Sequence, residues 1–150
     1  MTAFADSSAL VKLYVSEIGH QLVRSAGPLV ISGLARVEVP AALWRKARSG
    51  EVSINDARTL VTEFEFDYVG SSYSPPRFLA ILNVGSRLLD EAALLSARHG
   101  LRAYDAVQLG SALAARSAAA DIDTMAAFDV ELRRAAAAEG FALLPTVAPS

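Results

Sequence analysis

The feature that most constrains the fold of this chain is the alternation of short apolar runs with longer amphipathic segments. Apolar runs of strand length lie at residues 2–5, 29–32, 122–127 and 141–144. Asp6-Ser7-Ser8 follows the first run and is a helix N-cap signal, so a helix comes directly after the first strand. Strands and helices in this order are typical of βαβ units, whose strands are parallel. The sequence therefore predicts an α/β fold with a parallel sheet, helices on both faces and a functional crevice at the carboxyl ends of the strands.

Periodic apolar positions between these runs predict the helices. In chain order the predicted helices cover residues 6–15, 20–26, a segment that carries Glu38 and ends at 48, then 53–66, 86–99, 103–118 and 129–139. Pro40 lies inside the third helix and cannot donate a backbone hydrogen bond, which predicts a late helix start or a kink. Residues 68–76 are predicted to form an exposed loop. Residues 78–82 fit either a short strand or the first turns of a helix.

Length and composition favour one domain. The chain has 150 residues, of which 53% are hydrophobic and 20% are charged, so a single domain spanning 1–150 can bury a sizeable core. Its 16 acidic and 14 basic residues give a net charge of -2. Because no overall positive field attracts nucleic acid, an anionic substrate would need a local basic patch. We expect residues 146–150 to lie outside regular structure.

The cysteine and histidine content excludes several kinds of chemistry. The chain has no cysteine and only two histidines, which excludes disulfides, thiolate nucleophiles, cysteine-bound zinc and a multi-histidine metal site. Any metal site must therefore be built from carboxylates. No run approaches the roughly 18 apolar residues that cross a bilayer, and polar residues at 6–8 interrupt the first apolar run, unlike in a signal peptide. We expect a soluble cytoplasmic protein without membrane contact.

Four acidic residues stand where a carboxylate is costly. Asp105 lies within a helix of small and apolar residues, and Asp6, Glu38 and Asp129 follow or interrupt other apolar segments. An ionised carboxylate in such a setting is unfavourable unless cations or hydrogen-bond donors meet it. Strand ends and helix starts project into the same crevice of a parallel sheet, where four carboxylates would repel one another. Mg²⁺ or Mn²⁺ relieves such repulsion, activates water and neutralises a phosphate oxygen.

Each of these acids also has an ordinary structural explanation. Asp6 and Asp129 stand at helix N-cap positions. Asp105 lies in the first turn of a helix, where the helix dipole favours an acid, and Glu38 suits a solvated helix surface. With 16 acids in the chain, four at element ends can also arise by chance. The pattern alone leaves a metal site and four separate structural roles as open alternatives.

Four segments nevertheless occur together in an order and spacing that cover nearly the whole chain. They are DSSALVK at 6–12, RVE at 36–38, LRAYDAVQL at 101–109, and 128–140, which begins Phe-Asp and ends at a glycine. Together they resemble the PIN-domain ribonucleases, and in particular the VapC-type toxins of bacterial toxin-antitoxin pairs. The resemblance implies a three-layer α/β/α sandwich with a mainly parallel central sheet. It also implies endoribonuclease activity that depends on Mg²⁺ or Mn²⁺, a homodimer, and a tight complex with a small cognate antitoxin.

The resemblance also implies roles for individual residues. The family's catalytic acids fall on Asp6, Glu38, Asp105 and Asp129, with Asp6, Asp105 and Asp129 as metal ligands and Ser8 as a support for the first acid. The chain departs from the family at Ala127, because the family often has Thr or Ser two residues before its last acid. The missing hydroxyl predicts an under-supported Asp129. Asp123 on the preceding strand is a candidate to compensate, although an exposed strand end is the role we expect for it.

Basic and aromatic residues near these acids are candidates for binding RNA. Arg102 and Lys46 are the candidates for gripping phosphate, since backbone contacts of this kind supply affinity without sequence choice. Trp44 and Tyr14 are candidates for stacking on bases, with packing in the core or in a dimer as the ordinary alternative.

Two other functions compete with a ribonuclease. Aspartate-nucleophile phosphatases also place an acid after the first strand, but they need a second acid two residues further on, where this chain has Ser8. The other alternative is a catalytically silent PIN-like scaffold that only binds a protein partner. Ala127 is the feature that supports it.

Overall fold

A computed structural model describes residues 1–148 of the chain, which form a parallel sheet covered by helices on both faces. The strands are β1 (Ala3–Ala5), β2 (Leu29–Ser32), β3 (Ala80–Leu82), β4 (Thr124–Ala126) and β5 (Ala142–Leu144). Their order across the sheet is β3-β2-β1-β4-β5, and every neighbouring pair is parallel. The predicted α/β class and parallel sheet are confirmed.

The helices alternate with the strands along the chain. They are α1 (Ser7–Tyr14), α2 (His20–Ser25), α3 (Ala35–Arg48), α4 (Ile54–Val69), α5 (Ser86–His99), α6 (Ala103–Ala118) and α7 (Val130–Ala138). Gly100 ends α5 with a φ of 66°, a left-handed conformation that glycine adopts without steric cost. The chain therefore turns sharply there and α6 starts three residues later, at Ala103.

The two faces of the sheet bury two separate cores. Phe4 points to one face and packs with residues of α5, α6 and α7, such as Leu88 and Leu109. Its neighbours Ala3 and Ala5 point to the other face, where helices α1 to α4 contribute Leu10, Leu43 and Phe64 among others. This two-residue periodicity in a strand buried on both sides explains the continuous apolar runs in the sequence. The predicted three-layer α/β/α sandwich is confirmed.

The register of the strands places several chain reversals at one edge of the sheet. Ala5 pairs with Ile31 on one side and with Ala126 on the other, so β1, β2 and β4 end level with one another. Asp6 directly follows β1, and Asp129 lies three residues after the end of β4. Because parallel strands all end at the same edge, these two acids are delivered to one crevice.

The structure corrects some of the predicted boundaries. Helix α3 begins at Ala35, so the late start predicted from Pro40 is wrong. Backbone bonds from Val37 and Glu38 to the Leu34 carbonyl close the first turn before Pro40 is reached, and Val39 beside it is buried. Residues 68 and 69 belong to α4, and the ambiguous 78–82 segment contains the strand β3. The predicted irregular tail lies partly outside the described residues, at positions 149 and 150.

Among residues 1–148, no helix combines the length and apolar character that crossing a bilayer requires.

Candidate active site

A cavity of about 510 Å³ opens at the carboxyl edge of the sheet, and all four predicted acids line it. Asp6 is the N-cap of α1 and Asp129 is the N-cap of α7. Glu38 and Asp105 lie in the first turns of α3 and α6. Helix N-termini favour negative charge, so four helix ends aimed at one cavity offset part of the repulsion among four carboxylates.

Asp6 is buried, with 4% of its surface exposed, and its carboxylate oxygens accept only local hydrogen bonds. Ser8 Oγ lies 2.7 and 2.9 Å from the two oxygens, and the Ala9 backbone N–H donates to Oδ1 at 2.9 Å. Burial raises the pKa of the Asp6 carboxyl to about 7, and the nearby Glu38 adds to the rise, against the lowering by the Ser8 and Ala9 donors. The carboxylate is therefore costly to ionise without a cation beside it.

Ser8 connects the first acid to the loop that carries the last one. Its Oγ donates to Asp6 and accepts from the backbone N–H of Phe128 at 3.0 Å. Phe128 directly precedes Asp129, so one hydroxyl fixes the distance between the β1 end and the β4 loop. The support that the resemblance assigned to Ser8 thus reaches two of the four acids.

Glu38 is held by two residues that sequence reasoning did not single out. Gln108 Nε2 donates to Glu38 Oε1 at 2.7 Å and to Ser7 Oγ at 3.0 Å, and Ser7 Oγ donates to the same Glu38 oxygen at 3.0 Å. Gln108 is 2% exposed, and its Oε1 has no hydrogen-bond partner among residues 1–148. The available signal was its position three residues after Asp105, on the buried side of an otherwise apolar helix.

Asp105 and Asp129 share one cation, the guanidinium of Arg102. Its Nη2 lies 3.2 Å from Asp105 Oδ2 and 3.4 Å from Asp129 Oδ2. The other Asp129 oxygen, Oδ1, accepts the backbone N–H of Leu132 at 3.0 Å. Burial raises the pKa of Asp105, the neighbouring Asp129 raises it further, and Arg102 opposes both. Asp129 therefore caps its helix with one oxygen and turns the other towards the cavity.

The loop around Ala127 has supports other than a hydroxyl at that position. Ala127 is fully buried, its carbonyl accepts from Arg133 Nη1 at 2.9 Å, and the Phe128 N–H is satisfied by Ser8. Asp123 is exposed before the start of β4, at the opposite edge of the sheet, where it accepts from Thr124. The structure places Asp123 at an exposed strand end away from Asp129, which is its expected role, and there it does not compensate for the missing hydroxyl.

The two predicted phosphate-binding residues differ in position. Arg102 lines the cavity, whereas Lys46 does not and pairs with Glu17 at 2.6 Å and Glu51 at 2.9 Å. Arg45, one residue earlier, is the second cationic residue that lines the cavity. The structure therefore favours Arg45 over Lys46 as a contact for an anionic ligand.

Neither predicted stacking aromatic lines the cavity. Tyr14 packs edge-to-face on Phe64 and donates to Asp67 at 2.7 Å, which makes it a core residue. Trp44 is half-buried on α3. Tyr104, by contrast, lines the cavity and is 64% exposed.

The donor set suits a hard divalent cation in its chemistry but is not arranged around one. Carboxylate oxygens are what Mg²⁺ and Mn²⁺ prefer, and in the described part of the chain the buried Asp6 has no cationic partner. Within residues 1–148, however, no three acidic or histidine side chains lie close enough together to hold a metal ion as they stand. Asp6 is turned to Ser8, while Asp105 and Asp129 are turned to Arg102. Binding a cation would require Arg102 to leave Asp105 and Asp129, and these carboxylates to draw together with Asp6.

Comparisons with known proteins support one family. No protein-family model matches the chain. Ribonuclease VapC3 of Pyrobaculum aerophilum is 30% identical over 118 residues, which is 75% of this chain and 82% of the relative. The crystal structure of Mycobacterium tuberculosis VapC20, a sarcin-ricin loop cleaving toxin, matches 98% of this chain and 99% of its own, with a TM-score of 0.61 and 20% identity. The structural likeness shows the fold. The identity and coverage of the relative show that this chain belongs to the VapC-type PIN-domain ribonucleases, the toxins of toxin-antitoxin pairs.

Proposed function

We propose that this protein is an endoribonuclease that hydrolyses RNA phosphodiester bonds with a divalent cation, Mg²⁺ or Mn²⁺, held by carboxylates. The observation that carries the proposal is the convergence of Asp6, Glu38, Asp105 and Asp129, from four separate helix starts, on one cavity. Separate structural roles do not explain this convergence. Asp6 and Asp129 do cap their helices, yet both also line the cavity.

We assign each residue its proposed role from its position in the cavity. Asp6, Asp105 and Asp129 are the proposed metal ligands, and a cation there would supply an activated water and neutralise a phosphate oxygen. Glu38, fixed by Ser7 and Gln108 through a single carboxylate oxygen, is placed to orient a water or accept its proton. The exposed guanidinium groups of Arg102 and Arg45 at the cavity wall are placed to contact RNA phosphates.

The alternative is a silent scaffold that lines the same cavity with acids but binds only a protein. One experiment separates the two: titration of the purified protein with Mn²⁺ by calorimetry, followed by cleavage of RNA with Mn²⁺ and with EDTA. Because VapC20 cleaves the sarcin-ricin loop, a hairpin of that sequence belongs among the substrates beside unstructured RNA. Metal binding with EDTA-sensitive cleavage supports the nuclease. Absence of both supports the scaffold.

Ser8→Ala is expected to weaken Mn²⁺ binding and cleavage by about 10–100-fold, the usual effect of removing a partner that orients a metal ligand. The hydroxyl holds both Asp6 and the Phe128 backbone, so its loss loosens two corners of the site. Calorimetry and initial cleavage rates measure the effect.

Ser117→Ala is the matched control for this variant, because the Ser117 hydroxyl is exposed on α6 and bonds only to the Leu113 carbonyl. It should behave as wild type. A Ser8→Ala protein with unchanged Mn²⁺ affinity would show that Asp6 is positioned without the hydroxyl.

We further propose a homodimer that pairs with a small antitoxin in the cytoplasm. Exposed apolar side chains are available for such contacts: Tyr104 lines the cavity, Val37 and Val130 are adjacent in sequence to Glu38 and Asp129, and all three are 64–69% exposed. Light scattering at micromolar concentration is expected to give twice the mass of one chain. A monodisperse species with the mass of one chain would contradict the dimer. The antitoxin proposal is tested separately, by a pull-down with the product of the neighbouring gene.

A further inference from the structure

Arg102 occupies the place between two acids where a cation would be expected. Its guanidinium reaches Asp105 through Nε at 3.3 Å and Nη2 at 3.2 Å, and Asp129 through Nη2 at 3.4 Å. Both contacts end on Oδ2 of the acid. Both acids line the cavity, and for Asp129 this is the oxygen that its helix cap does not use, since the cap takes Oδ1.

The guanidinium and a divalent cation therefore compete for the same oxygens. With Arg102 in place, two of the proposed metal ligands are already neutralised by a side chain of the same protein. Residues 1–148 hold no ready metal cluster, and the contacts with Arg102 set how Asp105 and Asp129 are turned. A metal can gather Asp105 and Asp129 only after Arg102 has moved away.

We infer that Arg102 is the internal counter-ion of the Asp105–Asp129 pair, an inference that rests on the proposed function. The divalent cation displaces Arg102 and thereby releases it to bind RNA phosphate. One side chain then has two successive partners: carboxylates before metal binding and phosphate afterwards. Arginine suits both, because its planar fork matches carboxylate and phosphate oxygens equally well.

Exposure makes this exchange feasible. The Arg102 side chain is 80% exposed, so its ion pairs are screened by water and are weak. No other element has to move, because Arg102 is the N-cap residue of α6 and contributes no side-chain cap bond to that helix. A buried arginine in the same place would block the metal, whereas an exposed one delays it only slightly.

Arg45 provides a matched comparison within the same cavity. It is an exposed arginine that lines the cavity wall, yet it forms no ion pair with a carboxylate of residues 1–148. Removing either arginine subtracts one positive charge near the acids. Only the removal of Arg102 also frees the two carboxylate oxygens.

The test compares Arg102→Gln and Arg45→Gln with wild type in two assays, Mn²⁺ binding by calorimetry and the KM for RNA cleavage. Arg102→Gln is expected to bind Mn²⁺ about 3- to 10-fold more tightly, since two weak ion pairs no longer compete, and to show a raised KM. Arg45→Gln is expected to raise the KM while leaving Mn²⁺ affinity within about 2-fold of wild type, because it only alters the screened field.

Each outcome decides a separate point. Equal or weaker Mn²⁺ binding by Arg102→Gln, or the same gain in both variants, overturns the counter-ion. Binding of Mn²⁺ by neither variant nor wild type overturns it as well. Mn²⁺ binding that follows the expected pattern without any RNA cleavage leaves the counter-ion standing and contradicts only the proposed nuclease. If Arg102→Gln binds Mn²⁺ more tightly but its KM is unchanged, the claim that Arg102 binds RNA phosphate is contradicted.

Discussion

Asp6→Asn is expected to abolish Mn²⁺-dependent RNA cleavage, with a loss of about 10³-fold or more, while the protein keeps its fold. A metal site contributes several kcal/mol to the transition state, and a neutral amide is a poor substitute for a carboxylate ligand. Asparagine is as good an N-cap as aspartate, so α1 should stay intact. Initial cleavage rates at saturating Mn²⁺, with circular dichroism to verify the fold, measure the effect.

Asp123→Asn is the control, because Asp123 is an exposed acid at the opposite edge of the sheet. It should cleave RNA at the wild-type rate. Full activity in Asp6→Asn would remove Asp6 from the site, and equal losses in both variants would point to a general effect of lowered charge.

The same variant is expected to change how stability depends on pH. Burial raises the pKa of Asp6 from 3.8 to about 7. Between these two pH values the folded protein therefore holds a proton that the unfolded chain releases. The contribution of this group to the stability in EDTA should therefore be fully present below about pH 4 and be lost as the pH rises from there through 7, by roughly 2–4 kcal/mol. Asp6→Asn has no such group. It should be more stable than wild type at pH 8, and its free energy of unfolding in urea should lack this part of the dependence on pH.

Arg133→Met is expected to destabilise the protein by about 2–4 kcal/mol, since it removes two charged hydrogen bonds and leaves buried carbonyls without partners. Arg133 is 5% exposed and donates to Ala127 O at 2.9 Å and to Pro145 O at 2.7 Å. It thereby ties the loop before Asp129 to the chain after β5. Urea unfolding measures the loss, and methionine keeps the length of the side chain.

The next residue along α7 is the control. Arg134 is exposed and pairs only with Glu131 on its own helix, so Arg134→Met should change stability by less than about 0.5 kcal/mol. Equal effects at the two positions would show that helix propensity, and not the bonds across the loop, dominates. A destabilised Arg133→Met with weakened Mn²⁺ binding would in addition show that the loop positions Asp129.

Much of the fold was predictable because its signals are local. The apolar runs that became β1, β2 and β4 are buried on both faces, so each shows in the sequence as a short continuous run. Strands β3 and β5 lie at the two edges of the sheet and are only partly buried, which weakens the same signal. Strand β5 was still predicted because Gly140 and Pro145 bound its apolar run, whereas the flanks of 78–82 suit either a strand or a helix start. The helix start at Ala35 was missed because burial of α3 against the sheet outweighs the bond that Pro40 cannot make.

The four acids and Ser8 were also predictable, from their places at element ends and from the resemblance to PIN-domain ribonucleases. Their role in metal binding and catalysis stays a prediction. Sequence by itself determined which elements exist and which carboxylates reach one edge of the sheet, because periodicity, capping and the parallel order of strands are encoded within short stretches.

Only the tertiary structure decided what each carboxylate touches. Gln108 and Glu38 are 70 residues apart in sequence, and Ser8 and Phe128 are 120 apart, so no local pattern connects them. The same holds for Arg102, which pairs with Asp129 across 27 residues, and for Lys46, whose charge is used by Glu17 and Glu51. A hydrogen bond between two side chains requires a donor–acceptor distance of about 3 Å, to within a few tenths of an ångström. That distance is set by how elements far apart in the sequence pack together.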